Sequence, residues 1–154
     1  MEHFKTRKAN LEDIDELYRL EQGVISAERP FDPTLKEDPI HYYDLYEMIN
    51  AAHIELIVAE ADNKIIGSGY ARIEKSKAYS KHTEYAYLGF MYVHPDYRGK
   101  EVNKRVIEVL KDWVYQQNIK EFRLEVYYNN LPAIRAYEKI GFTKHMIEMR
   151  FSPE

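Results

Sequence analysis

The chain has 154 residues, no cysteine and a formal net charge of −4; this length fits a single domain over residues 1–154, and the charge argues against nucleic-acid binding, which usually needs a basic domain. The lack of cysteine excludes disulfides, thiolate ligands and a cysteine nucleophile, and the six histidines show no paired ligand spacing, so we predict no metal site. No apolar run approaches about 18 residues and the N-terminus lacks an apolar signal segment, so we expect a cytoplasmic protein with no membrane partner.

The chain before residue 83 alternates between helical and strand patterns. Apolar residues recur at helical spacing after Asn10, and they alternate in the two segments on either side of a polar turn at 61–64. A proline-containing stretch without periodicity separates the first two helices. The predicted elements are a strand at 3–8, a helix capped by Asn10 and Asp13, a loop at 23–38, a helix that starts at Asp38-Pro39, and strands at 54–60 and 65–73.

A strand, a basic turn and a helix follow one another between residues 83 and 118. The strand at 83–93 is rich in aromatic and β-branched residues, and Gly89 in its interior predicts a bulge. The helix begins near Val102, and the N–H groups of its first turn have no partner within the helix. Together with the macrodipole, the nearby basic side chains make this turn a predicted phosphate site; they are Arg98, Lys100, Lys104 and Arg105.

The last part of the chain contains one more helix between two strands. Residues 121–128 alternate as a strand, a short helix covers 131–139 and ends at Gly141, and residues 142–151 alternate again. The whole order of strands and helices predicts a mixed sheet flanked by helices.

Two motifs resemble those of one known family. The string at 93–100, VHPDYRGK, followed by an amphipathic helix, is similar to the acetyl-CoA pyrophosphate loop of the GNAT superfamily of N-acetyltransferases. The string at 130–142, NLPAIRAYEKIGF, resembles the family's segment with a spaced Asn, Ala, Tyr and Gly-Phe. The resemblance implies an α/β (α+β) fold, with a mixed, mostly antiparallel central sheet of about six to seven strands, four flanking helices, and a splayed parallel strand pair at the cofactor site.

The resemblance also implies a reaction and a set of cofactor contacts. The reaction is transfer of an acetyl group from acetyl-CoA to a primary amine of a small molecule or peptide, by direct attack in a ternary complex. The strand at 83–93 would offer backbone groups to the pantetheine arm and the thioester oxygen, and the turn would hold the pyrophosphate. The implied cofactor-binding residues are Met91, Tyr92, Val93, Arg98, Gly99, Lys100, Glu101, Val102, Asn103, Asn130, Ala133 and Tyr137.

The same resemblance suggests which residues move protons. Tyr137 matches the family's tyrosine that protonates the departing thiolate. The base that deprotonates the amine is left open: Glu84 begins the strand before the loop, Glu125 lies on the strand beside it, and a chain of water molecules is a third alternative.

The turn departs from the family's pattern at two positions, because Glu101 and Asn103 stand where two glycines are expected. We expect the Glu101 side chain to point to solvent. Glu101→Gly should then tighten CoA binding and slightly lower the stability of the free protein. The departure also leaves an alternative function, a non-catalytic GNAT-fold binding or regulatory module. Whether the chain forms a homodimer is left open.

Overall fold

The central sheet contains five strands in the computed structural model, which describes residues 3–153. They are β1 (Lys5–Lys8), β2 (Ile54–Ala61), β3 (Lys64–Lys75), β4 (Glu84–Val93) and β5 (Phe122–Arg123). The strands lie side by side in this order, and all neighbours are antiparallel except the parallel pair β4 and β5. The predicted mixed, mostly antiparallel sheet with one parallel pair is therefore confirmed.

Four α-helices are present in residues 3–153, as predicted: α1 (Ile14–Glu28), α2 (Leu45–Asn50), α3 (Val102–Tyr115) and α4 (Leu131–Ile140). Residues up to Leu124 form one compact unit, and residues from Glu125 onward form a second unit that contains α4. Within the described part of the chain, no helix is both long enough and apolar enough to cross a bilayer.

The helices of the first unit cover both faces of its sheet. Residues of α1 and α2, such as Leu17 and Leu45, share one apolar core with Val58 of β2. Because side chains alternate between the two faces of a strand, the residues next to these core residues point to the opposite face of the sheet. There α3 packs closely: a Cβ atom on Gly69 would lie 2.8 Å from Cγ1 of Val106. Glycine at this position lets the helix approach the sheet.

Two helix boundaries differ from the sequence predictions. The predicted cap of Asn10 and Asp13 is confirmed as a reciprocal capping box, but α1 runs on to Glu28 through part of the predicted loop. Gly23 lies within this helix, and its lack of a side chain leaves room for the ring of Tyr92. A Cβ atom on Gly23 would lie 2.8 Å from that ring. The second helix begins at Leu45 after an Asp44 cap and not at Asp38-Pro39.

The strands near the C-terminus are shorter than predicted. The segment predicted as a strand at 121–128 forms only the two residues of β5. The segment at 142–151, predicted as the last strand, forms none within the described residues. A strand requires ladder hydrogen bonds to a neighbour in addition to alternating side chains. The sheet therefore has five strands and not the predicted six to seven.

Candidate active site

Strand β4 carries a bulge near its C-terminal end. Its pairing with β3 runs from Gly89 opposite Tyr70 directly to Tyr92 opposite Ser68, so two residues of β4 oppose one residue of β3. The first of the two, Phe90, has a left-handed backbone with φ 52°. The buried hydroxyl of Ser68 donates a hydrogen bond of 2.8 Å to the Phe90 carbonyl and holds the bulge. The sequence placed this bulge at Gly89, one residue too early.

The edge of β4 that faces β5 is paired for only a short distance. The parallel ladder joins Ala86 to Phe122 and Tyr87 to Arg123, and within the described sheet it continues no further. The backbone groups of β4 beyond Tyr87 therefore face this side without a ladder partner. Such an edge can bond an extended ligand in the way it would bond another strand.

The turn between β4 and α3 presents the start of a helix without a side-chain cap. Glu101 occupies the capping position with a left-handed backbone, φ 63°, and its side chain makes no capping hydrogen bond. Gly99 is also left-handed, with φ 76°, and apart from its two chain neighbours no atom of the described residues lies within 4 Å of where its Cβ would stand. The N–H groups of the first turn of α3 are thus not bonded by a cap, and the space next to the turn is open.

Basic side chains surround this turn and are exposed. Lys100 lies over the ring of Tyr97 with 5.2 Å between Nζ and the ring centroid, and Nε of Arg98 donates a long hydrogen bond of 3.4 Å to the Val93 carbonyl. Because these cations stand at the positive end of a helix dipole, the turn favours a phosphate group. The residues present therefore fit the pyrophosphate and the extended arm of acetyl-CoA.

The structure brings most of the predicted coenzyme residues together in one continuous stretch. Met91, Tyr92 and Val93 form the end of β4, and the turn from Arg98 to Asn103 follows within a few residues. Glu84, one of the two predicted bases, lies at the opposite end of β4 from Met91, roughly 20 Å away at the usual rise of a strand. Glu84 therefore lies far from the bulge.

The remaining predicted residues lie in the second unit, where they define the helix α4. Asn130 is its N-cap and accepts a hydrogen bond of 3.4 Å from the Ala133 N–H, and Gly141 ends it with a left-handed backbone. The ring of Tyr137 lies edge-on to that of Phe142, with 5.9 Å between centroids. The motif at 130–142 thus encodes a capped helix with a partly buried tyrosine. Glu125, the second predicted base, is exposed at the start of this unit.

A layer of aromatic side chains covers the bulge from the side of α1 and α2. The Tyr43 ring stacks on Phe90 with 4.6 Å between centroids and meets Tyr70 edge-on at 6.1 Å. Burial raises the pKa of Tyr43 well above its ordinary value, so this phenol stays neutral. A Cβ atom on Gly89 would lie 2.5 Å from the Tyr70 ring, which explains why this strand position is glycine.

A buried carboxylate holds the segment that carries Tyr43. Glu21 of α1 is fully buried, and its carboxylate accepts hydrogen bonds from the backbone N–H groups of Tyr42 and Tyr43 at 2.9 and 3.0 Å. Nδ1 of His41 lies 2.7 Å from the same carboxylate. The sequence analysis did not select Glu21, since a single glutamate on a helix carries no distinguishing pattern.

The structure contains no obvious metal centre in the described residues. Within residues 3–153, no three side chains of His, Asp or Glu are grouped closely enough to hold a metal ion.

Comparison with known proteins identifies the family. The sequence matches the Acetyltransferase (GNAT) family over residues 12–142, which is most of the chain. The chain belongs to the GNAT acetyltransferase family. This GNAT protein is 27% identical over 146 residues to an N-alpha-acetyltransferase from Saccharolobus solfataricus, covering 92% of this chain and 81% of the relative.

Solved structures share the GNAT fold. A predicted acetyltransferase from Clostridium acetobutylicum, whose crystal structure includes acetyl-CoA, has a TM-score of 0.75 and 19% identity and covers 97% of this chain and 96% of its own. A protein from Bacillus halodurans has a TM-score of 0.86 and 16% identity over 96% and 98% of the two chains. The GNAT protein described here is an acyl-CoA-dependent N-acetyltransferase.

The left-handed backbone of Glu101 reverses one expectation from the sequence. Its side chain is 76% exposed and lies 4.0 Å from Nζ of Lys104, in line with the prediction that it points to solvent. However, a non-glycine residue with this backbone is strained. Glu101→Gly should therefore raise the free energy of unfolding by about 0.5 to 1 kcal/mol, and not lower it as the sequence predicted.

Loss of the Glu101 charge beside the phosphate site should also tighten CoA binding, by several-fold. The checks are urea unfolding and calorimetric titration with CoA. Glu101→Gln is the matched variant, because it removes the charge and keeps the strained backbone. It should tighten CoA binding without the gain in stability. Weaker CoA binding in both variants would show that Glu101 assists the coenzyme.

Proposed function

We propose that this enzyme transfers the acetyl group to a primary amine of a small molecule or peptide, by direct attack of the amine in a ternary complex. One arrangement supports the proposal. Strand β4 has a bulge, its edge toward β5 is paired at only two positions, and the uncapped start of α3 follows in the chain. The relative named N-alpha-acetyltransferase favours a peptide amine as the acceptor. Acetyl-CoA, when bound, supplies the acetyl group as a thioester.

Two groups of residues bind the two ends of the coenzyme. The turn from Arg98 to Asn103 binds the pyrophosphate through backbone N–H groups and positive charge. The backbone of Met91, Tyr92 and Val93 holds the extended arm, and an N–H group there donates to the thioester oxygen as its negative charge grows. Asn130 and Ala133 are proposed to assist from the start of α4, although their observed contact is the helix cap.

Protons must leave the amine and reach the sulfur atom. An amine attacks only after its ammonium form has lost a proton, because the ammonium ion has no free electron pair. Tyr137 is the proposed donor of a proton to the thiolate that leaves. Glu125 stays a prediction as the base. The homodimer, the cytoplasmic location and the single-domain organisation also stay predictions.

Arg98→Ala should weaken CoA binding by about 1 to 3 kcal/mol, or roughly fivefold to 150-fold, because one charged hydrogen bond to phosphate is lost. Calorimetric titration with CoA measures the change. Lys120→Ala is the control, since it removes the same charge from an exposed position beyond the far end of α3. Equal affinities for CoA in Arg98→Ala and the wild type would remove Arg98 from the pyrophosphate site.

The ternary complex is tested by initial rates measured with both substrates varied. Direct attack requires both substrates to be bound together, so reciprocal plots should intersect. Parallel lines would indicate an acetylated enzyme and would contradict the proposed mechanism. Short peptides with a free N-terminal amine and the small amine spermidine are suitable acceptors for this measurement.

A further inference from the structure

Ser68 places a buried hydroxyl in β3, the central strand of the sheet, next to the bulge of β4. The residue is 1% exposed, and its hydroxyl donates a hydrogen bond of 2.8 Å to the Phe90 carbonyl. A buried hydroxyl without a partner would cost free energy. Phe90 has a left-handed backbone with φ 52°, which an aromatic residue keeps only when its surroundings hold it there. Ser68 is one of the groups that hold it.

The same hydrogen bond fixes the direction of the next N–H group in the chain. The Phe90 carbonyl and the Met91 N–H belong to one trans peptide group, so they point in opposite directions. Because the carbonyl is directed at Ser68 in β3, the Met91 N–H is directed away from β3. On that side lies the edge of β4 that, beyond Tyr87, has no ladder partner within the described sheet. The Met91 N–H therefore points to the side where the extended arm of the coenzyme is proposed to bind.

Contacts on both faces of the sheet hold the two residues that share this peptide group. On the face of α1 and α2, the Phe90 ring stacks on Tyr43 with 4.6 Å between centroids. On the face of α3, the Met91 side chain lies over Gly69, where a Cβ atom would be 2.7 Å from Sδ of Met91. These contacts involve side chains and leave the polar atoms of the peptide group to other partners. The Ser68 hydroxyl bonds the peptide group itself and so sets the rotation of its plane.

We propose that Ser68 is a positioning residue for the reaction: by holding the Phe90 carbonyl, it aims the Met91 N–H at the thioester oxygen of bound acetyl-CoA. The proposal rests on the proposed function, in which an N–H group between Met91 and Val93 donates to that oxygen, and it selects Met91 among them. A donor that is oriented in advance stabilises the negative charge of the transition state without reorganisation. Ser68 acts through this peptide group and not by contact with a substrate.

Ser68→Ala tests the proposal because it removes the hydroxyl from the Phe90 carbonyl. We expect kcat with acetyl-CoA and a peptide acceptor to fall roughly tenfold to 10²-fold, since a displacement of about 1 Å in a reacting geometry can cost 10²-fold. The affinity for CoA, which has no acetyl group, should stay at the wild-type value. Initial rates and calorimetric titration measure the two quantities.

The infrared stretching frequency of the thioester carbonyl reports the aim of the N–H group directly. A hydrogen bond to the carbonyl oxygen lowers this frequency, and a carbon-13 label at the carbonyl of acetyl-CoA separates its band from those of the protein. The frequency of bound acetyl-CoA should be lower in the wild type than in Ser68→Ala. This measurement needs no acceptor amine.

Two further variants separate positioning from stability. Ser68→Thr keeps the hydroxyl and adds a methyl group to a buried site, so it should lower the melting temperature but keep the wild-type carbonyl frequency and most of kcat. Ser76→Ala removes a hydroxyl directly after the other end of β3, roughly 26 Å from Ser68 at the usual rise of a strand. It should leave kcat and the carbonyl frequency unchanged. Thermal unfolding shows whether each variant is folded at the assay temperature.

The outcomes distinguish the role of Ser68 from the proposed function. Equal kcat and equal carbonyl frequency in Ser68→Ala and the wild type would reject Ser68 alone. A wild-type frequency no lower than that of a simple thioester in an apolar solvent would show that no N–H group donates to the oxygen, and would reject the donor together with Ser68. A wild type that binds CoA and acetylates neither peptides nor spermidine would contradict the proposed function, and the infrared comparison would still decide whether Ser68 aims the Met91 N–H.

Discussion

Tyr137→Phe is expected to lower kcat about 10²-fold, because the variant loses the phenol proton that the leaving thiolate would take. The ring and its edge-on contact with Phe142 remain, so the melting temperature should change little. Turnover is measured by release of the CoA thiol with a peptide acceptor, and thermal unfolding is followed in parallel.

Tyr128→Phe is the matched control for this experiment. Tyr128 lies in the same unit of the structure and is 79% exposed, so loss of its hydroxyl should leave both turnover and stability unchanged. If Tyr137→Phe turns over at the wild-type rate, Tyr137 serves to pack α4 against Phe142 and another group protonates the thiolate.

Glu21→Ala should destabilise the folded protein by about 3 to 5 kcal/mol. The substitution leaves two backbone N–H groups, those of Tyr42 and Tyr43, without their acceptor, at about 1 to 3 kcal/mol each, and it opens a cavity inside the helix packing. Urea unfolding measures this loss.

Ser26→Ala is the reference for Glu21→Ala, since Ser26 is exposed on the same helix and such surface changes stay within about 0.5 kcal/mol. A loss below about 1 kcal/mol in Glu21→Ala would mean that water replaces the carboxylate as the acceptor for the two N–H groups. The proposed role of Glu21 in holding this segment would then be wrong.

The sequence predicted the sheet type, the four helices and the turn at Arg98 to Asn103 because these features depend on local signals. These signals lie within a few positions of each other: a run of β-branched and aromatic residues, a proline, and apolar residues at helical spacing. The position of the turn between β4 and α3 follows directly from such neighbours. The structure places the proposed phosphate contacts in this continuous stretch.

The features that the sequence did not predict depend on residues far apart in the chain. The presence of glycine at position 23, inside α1, is explained by the Tyr92 ring, which lies almost 70 positions later. The importance of Glu21 appears only when the segment before α2 is folded back onto α1. The strand predicted at 142–151 has the right alternation, but alternation does not supply a neighbouring strand.

The location of the bulge directly before the turn has a consequence for how relatives of this protein can diverge. Nine of the twelve proposed coenzyme contacts lie in one short stretch, from Met91 to Asn103, and the other three belong to α4 and its N-cap. Substitutions outside this stretch can change which amine is accepted while most of the proposed coenzyme contacts are left intact. New acceptors can thus evolve on a largely unchanged donor site.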